Sequence, residues 1–231
     1  MHKRNKKVNI KREKSLISFI NPKSIISEQY RTIRTNIQFS SIDRAYRTII
    51  ITSAGFGEGK TTTTANLGVV MAQQGKKILI VDADLRKPMM HYTFKTENTI
   101  GLTNVLIQQT LLQEAIRKTD IEKLDILPSG PIPPNPAELL SSDAMKELME
   151  LALIEYDLVL FDSPPVNAVA DTQILSNLGD GVVLVVNSGK TKKDTGTKAL
   201  ESLNSANAKL LGIVLNNKKQ KGDQYYYNGS Q

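Results

Sequence analysis

Apolar residues fall along this chain in short runs separated by amphipathic stretches, and that succession sets the first expectation. The runs are Ile49–Ile51, the stretches Lys77–Asp84 and Asp157–Asp162, then Leu124–Leu127, Gly181–Val186 and Leu210–Leu215. They are apolar throughout rather than alternating, as strands buried on both faces are. Leu111–Lys118, Asp143–Ile154, Thr172–Leu178 and Asp194–Ala206 read as helices between them. Residues 24–39 read as another, because Ile26, Tyr30, Ile33 and Ile37 recur at spacings of four, three and four and share one stripe. Strands that alternate with helices predict an α/β fold with a mostly parallel central sheet flanked by helices.

On the other side of the 24–39 helix, Glu28, Arg31 and Arg34 recur every three residues. A local Glu28–Arg31 pair would contribute only a few tenths of a kcal/mol. The same three charges could instead form contacts with another subunit. Pattern alone leaves both readings open.

Punctuation divides the chain into an arm, a domain and a tail. Residues 1–22 read as a basic, poorly ordered arm ending at Asn21-Pro22, and 23–216 as one domain. Residues 217–231 are a polar, flexible tail carrying Tyr225, Tyr226 and Tyr227, three of the chain's seven tyrosines. No core exists there to bury them, which marks them as groups that another protein touches or modifies. Within the domain, five prolines between Pro128 and Pro136 make a stiff loop, with Pro136 suited to the first turn of a helix.

Charge sharpens this division. The formal net charge is +7, yet seven basic residues against Glu13 alone fall in the first fourteen positions. Lys218, Lys219 and Lys221 form a second cluster, so the domain itself is nearly neutral. Basic tails suit an acidic partner, anionic lipid headgroups or nucleic acid, or are simply solvated. No run approaches the ~18 apolar residues that span a bilayer. With no cysteine there are no disulfides and no thiol catalysis, as fits a cytoplasmic protein.

The candidate chemistry begins where the first strand breaks into Thr52-Ser53-Ala54-Gly55-Phe56-Gly57-Glu58-Gly59-Lys60-Thr61-Thr62. A strand, a glycine loop and a helix opening on Gly-Lys-Thr form the context of a nucleotide phosphate-binding loop. Gly55, Gly57, Glu58, Gly59, Lys60, Thr61 and Thr62 are therefore the candidate nucleotide contacts. Successive N–H groups and the helix N-terminus face the phosphates. Lys60 would reach the β/γ-phosphates, and the Thr61 hydroxyl would ligate Mg²⁺. Ala54 stands where the strict pattern has glycine. Asp82, Asp84 and Asp162 end strands beside this loop, at the edge where open parallel sheets bind ligands. Mg²⁺ takes one or two carboxylates plus phosphate oxygens, here Asp84 and Asp162. The surplus carboxylate, Asp82, would orient an attacking hydroxyl or accept its proton; the alternative is a helix cap or salt-bridge partner. Water as acceptor makes an ATPase, and a side-chain hydroxyl makes a kinase.

Taken together, Glu28-Gln-Tyr-Arg31-Thr-Ile-Arg34-Thr-Asn36, the phosphate loop, Ile-Val-Asp82-Ala-Asp84-Leu-Arg86-Lys-Pro88, Phe-Asp162-Ser-Pro-Pro165 and the tyrosine tail resemble the bacterial tyrosine kinases of capsule and exopolysaccharide synthesis. The resemblance runs from about residue 24 to 227. It implies a P-loop fold like that of the partitioning ATPases, with ATP and Mg²⁺ as cofactors. It further implies autophosphorylation of Tyr225, Tyr226 and Tyr227, and a ring-shaped homo-oligomer built through Glu28, Arg31 and Arg34. The partners it implies are a membrane-embedded activator of the polysaccharide co-polymerase type, other tyrosine substrates and a cognate phosphatase, with nucleic acid disfavoured. The protein would then be cytoplasmic and recruited to the inner face of the membrane. A partitioning-type spatial-organising ATPase is the alternative. Those proteins carry a second lysine where Gly55 stands here. Transfer between subunits is expected, because Tyr227 lies eleven residues beyond Asn216, a reach of roughly 36 Å at about 3.3 Å each. A tail entering its own site is expected to double back around the sheet.

Overall fold

The computed structural model describes residues 16–41 and 45–218 of the 231-residue chain. Strand β1 (Thr48–Ser53) lies between β5 (Leu158–Asp162) and β6 (Gly181–Asn187), and both pairings are parallel. Outside β5 come β2 (Ile78–Asp82), β4 (Leu124–Leu127) and the short β3 (Arg117–Lys118), while β7 (Leu210–Asn216) closes the other edge. Only β3 runs antiparallel to its neighbour among the described strands.

The strands are apolar on both faces because each face meets a separate core. Ile50, Leu79, Val81, Val159 and Phe161 point to one side, and Ile49, Ile51, Ile78, Ile80 and Leu160 to the other. The second side is covered by α1 (Ile17–Ile20), α2 (Ile25–Phe39) and α3 (Lys60–Ala72). Residues 63–72 of α3 are buried all round. Gly68 permits that closeness, since a Cβ there would stand 2.7 Å from Ile80 Cδ1. The first side is covered by α8 (Asp143–Glu155), α9 (Asp171–Ser176) and α10 (Lys193–Ser205). Four short helices, α4 (Met90–Phe94), α5 (Leu102–Leu106), α6 (Leu112–Ala115) and α7 (Pro136–Leu140), fill the connections. Pro136 opens α7, as its fixed φ favours.

Three local expectations change. The helix expected over Leu111–Lys118 stops at Ala115, and Arg117–Lys118 pairs with Asp125–Ile126 as an edge strand. The backbone pairing with β4 replaces helical hydrogen bonds there, and Lys118 Nζ lies 2.7 Å from Asp125 Oδ2 across it. In α2, Tyr30 and Ile37 are buried but Ile26 is half exposed, and the hydroxyl of buried Ser27 donates to Asn21 O at 2.7 Å. The arm expected to run to residue 22 is already part of the domain by Leu16, which is 1% exposed. Ser18 N donates to Asn66 Oδ1 at 2.9 Å and fastens α1 to α3. No helix among the described residues is long and apolar enough to cross a membrane. Residues 1–15, Lys219, Lys221 and the three tail tyrosines lie outside the described residues.

Candidate nucleotide site

Every candidate carboxylate leaves a strand on the same edge of the sheet. Asp82 and Asp162 are register partners at the ends of β2 and β5, and the phosphate loop leaves β1 immediately beside Asp162. Gly57 (φ +69°) and Gly59 (φ +97°) supply the left-handed turns that bring the loop to the N-terminus of α3. Lys60 and Thr61, the first residues of that helix, meet the acids. Lys60 Nζ stands 2.9 Å from Asp84 Oδ2 and 3.3 Å from Asp162 Oδ1. The Thr61 hydroxyl donates to Asp162 Oδ2 at 2.5 Å. A cavity of about 610 Å³ opens above them, lined by Gly57, Gly59, Lys60, Thr61, Thr62 and Asp84 on one wall. Phe56, Lys87, Met89, Tyr92, Thr93, Lys95 and Pro165 form the rest.

Electrostatics is concentrated here. Burial alone would lower the Lys60 pKa, but the charges of Asp162 and Asp84 outweigh it and hold the ammonium charged. Asp162 is fully buried and raised by that burial, with Lys60 and Thr61 opposing the rise. Burial, then the neighbouring Asp162 charge, push Asp82 up to about 8. Its Oδ2 accepts from Met89 N at 3.1 Å and Met90 N at 2.9 Å, while buried Oδ1 has no partner. Asp82 does not line the cavity; it is fully buried, with Oδ1 left without a hydrogen-bond partner.

The donor set suits a hard cation. Thr61, Asp84 and Asp162 offer only oxygen, and Mg²⁺ needs one or two carboxylates when phosphate oxygens and water complete its shell. Among the described residues, no three His, Cys, Asp or Glu side chains form an all-protein metal cage.

The Glu58 side chain takes no part in lining the cavity. Its carboxylate turns away from the cavity, accepting from Ala54 N at 3.0 Å and from the Thr191 hydroxyl at 2.6 Å. Only its backbone can face phosphate. Gly55 likewise lies outside the cavity lining, and a Cβ there would stand 3.3 Å from Glu58 Oε1. Three residues that no sequence motif marks shape the loop from outside: Thr191, Lys190, whose Nζ donates to Phe56 O at 3.1 Å, and Asn216, whose Nδ2 donates to Glu58 O at 2.8 Å. A Cβ on Gly59 would stand 2.0 Å from that Asn216 amide nitrogen.

Asn216 also corrects the reach argument. The tail starts at the chain's own phosphate loop, so it need not double back around the sheet, and reach does not separate transfer within a subunit from transfer between subunits. On α2, Glu28 and Arg31 form the local ion pair, and Arg31 Nη2 donates to Pro22 O at 2.8 Å. Arg34 Nη1 donates to Val70 O at 2.7 Å and ties α2 to α3.

The site and sheet agree with known proteins. A family model described as an AAA domain matches residues 46–211. The tyrosine-protein kinase YwqD of Bacillus subtilis is 54% identical over 220 residues, covering 95% of this chain and 93% of that protein. The crystal structure of the chimerical protein CapA2B2 superposes with a TM-score of 0.87 at 48% identity, covering 89% of this chain and 91% of that one. The septum site-determining protein MinD of Pyrococcus horikoshii, solved in complex with Mg-ADP, superposes with a TM-score of 0.62 at 30% identity over 73% of this chain and 69% of its own.

Proposed function

The chain belongs to the bacterial tyrosine-protein kinase family, and on that premise we propose that it transfers the γ-phosphoryl group of ATP to tyrosine hydroxyls, those of Tyr225, Tyr226 and Tyr227 among them. The observation that carries this reading is the meeting of Lys60 with Asp84 and Asp162, and of Thr61 with Asp162, at the floor of an open cavity. Lys60 exchanges its carboxylate partners for the phosphates when nucleotide enters. Thr61, Asp84 and Asp162 would hold Mg²⁺ there, whose positive charge would offset that of the phosphates. The phenol oxygen bonds to the γ-phosphorus as the bond to the ADP oxygen breaks and its electron pair leaves with ADP. The phenol proton passes to a carboxylate, and Asp82, with Oδ1 unpartnered and its pKa pushed up to about 8, is suited to receive it.

The acceptor tyrosine enters along the cavity wall that Met89 and Tyr92 help to form. Subunits assemble into a ring through Glu28, Arg31 and Arg34, and the tail of one is modified by its neighbour. A membrane-embedded activator recruits the otherwise cytoplasmic kinase to polysaccharide export, and a phosphatase reverses the modification. Incubating the protein with ATP, Mg²⁺ and the activator's cytoplasmic segment, then blotting for phosphotyrosine, tests the central reading. Phosphotyrosine that appears in the wild type and not in Lys60→Met supports it; ATP hydrolysis without any phosphotyrosine overturns it.

A further inference from the structure

The loops that carry the site's carboxylates are tied together outside the cavity. Arg86 Nε donates to Asp171 Oδ2 at 2.9 Å and Arg86 Nη2 to Asp171 Oδ1 at 3.0 Å, a bidentate pair. Asp171 is fully buried at the first turn of α9, whereas Arg86 is partly open to solvent. Arg86 follows Asp84 by two residues in a loop folded on that aspartate, whose Oδ1 accepts from Lys87 N at 3.0 Å. Asp171 ends the segment that follows Asp162. That segment is bolted down in turn, since the hydroxyls of Thr52 and Thr172 each donate to Pro164 O at 2.7 Å.

In this state Asp84 and Asp162 are held together twice, inside by Lys60 and outside by Arg86–Asp171. The inner tie is temporary, because Lys60 is the residue that must turn to the phosphates. We propose that Arg86 and Asp171 are positioning residues that keep Asp84 and Asp162 at Mg²⁺-binding spacing once Lys60 has left them. The inference rests on the nucleotide-site reading and not on the identity of the acceptor. Neither residue touches nucleotide or metal in this scheme; each acts through the loop it fixes, as outer partners of metal ligands do.

The scheme predicts a defect specific to Mg²⁺. Binding of a fluorescent ADP analogue to the full chain is measured in EDTA and across a Mg²⁺ titration. Arg86→Ala and Asp171→Asn should raise the Mg²⁺ concentration needed for tight ADP binding by about tenfold or more, while Mg²⁺-free affinity changes less than about twofold. Arg86→Lys, which keeps the charge but loses the fork, should fall between. The exchanged pair Arg86→Asp with Asp171→Arg should recover part of the loss. Equal weakening with and without Mg²⁺, or an unchanged Mg²⁺ requirement, overturns the proposal. Should Arg86→Ala fail to fold, Arg86→Lys decides by the same two readings. Wild-type protein that binds no ADP at all overturns the nucleotide-site reading itself, whereas Mg²⁺-dependent ADP binding without tyrosine phosphorylation overturns only the kinase reading.

Discussion

Lys60 Nζ lies 2.9 Å from Asp84 Oδ2, so the residue that should bind phosphate holds, in this state, a carboxylate that Mg²⁺ should bind. One lysine thus has a structural and a chemical duty. Lys60→Met should abolish phosphotransfer, because the charge aimed at the phosphates is gone. It should also lower stability without nucleotide by about 3 kcal/mol, as removing one member of a buried ion pair does. Urea unfolding with and without Mg²⁺ checks this, and added Mg²⁺ should restore part of the loss.

Asp82→Asn should act oppositely on stability. Asp82 is fully buried beside Asp162, and an amide oxygen can accept from Met89 N and Met90 N as the carboxylate does. Replacing this buried ionisable carboxyl, whose pKa burial pushes up to about 8, by a neutral amide should stabilise the nucleotide-free protein by about 1 kcal/mol and slow phosphotransfer by about 10²-fold or more. Calorimetry and a kinase assay report the two. Near-wild-type activity at saturating Mg²⁺ would return Asp82 to a purely structural role.

The α2 residues separate by their anchors. Arg34 donates to Val70 O, so Arg34→Ala should cost about 1.5 kcal/mol of stability on its own. Glu28→Ala with Arg31→Ala removes a surface pair worth a few tenths of a kcal/mol and the exposed Arg31–Pro22 hydrogen bond, and so should cost less than Arg34→Ala. The double variant should convert the proposed ring to monomers on size exclusion while circular dichroism stays unchanged. An unaltered elution volume would leave Glu28 and Arg31 with their local pairing alone.

His91 should give the folded protein an acid sensitivity. Burial lowers its pKa below the ordinary 6.5, and its Nδ1 has no partner. The unfolded chain takes up a proton below pH 6.5 that the folded chain resists. Stability should therefore be full above that pH and fall as the solution is acidified towards the folded pKa. Melting temperatures from pH 5 to 8 should fall less steeply on the acid side for His91→Gln, and parallel curves would exclude the histidine as the source.

Whether the tail is modified by its own subunit or by a neighbour is decided by mixing. A Lys60→Met chain with its tail intact is combined with an active chain truncated after Lys221. Phosphate on the inactive chain's tail is the expected result, and its absence means that transfer stays within one subunit.

Much of this site is legible in the amino-acid sequence. Lys60, Thr61, Asp84 and Asp162 stand in short motifs at strand ends, and a motif of that kind fixes its own geometry once the strands pair. Contacts between distant segments are not legible. Thr191 and Asn216 meet Glu58 across 133 and 158 residues, and Arg86 meets Asp171 across 85. No local periodicity encodes such partners. Arg117–Lys118 reads as helix for a different reason: the two residues are too short a strand to show a period of their own, and only the pairing with Asp125–Ile126 defines it. The gap in distant contacts does explain why Glu58 resembles a phosphate contact in the motif while its side chain braces the loop.

The Asn216–Glu58 contact orders events on the ribosome. At roughly 5–20 residues per second, Asn216 is synthesised about 8–32 s after the loop it shapes. β1 waits as well, because its partners β5 and β6 are added more than a hundred residues later. An emerging chain therefore carries the whole phosphate-loop motif long before it has the walls that set its shape. Newborn chains that stall short of residue 216 should neither capture nucleotide well nor modify one another.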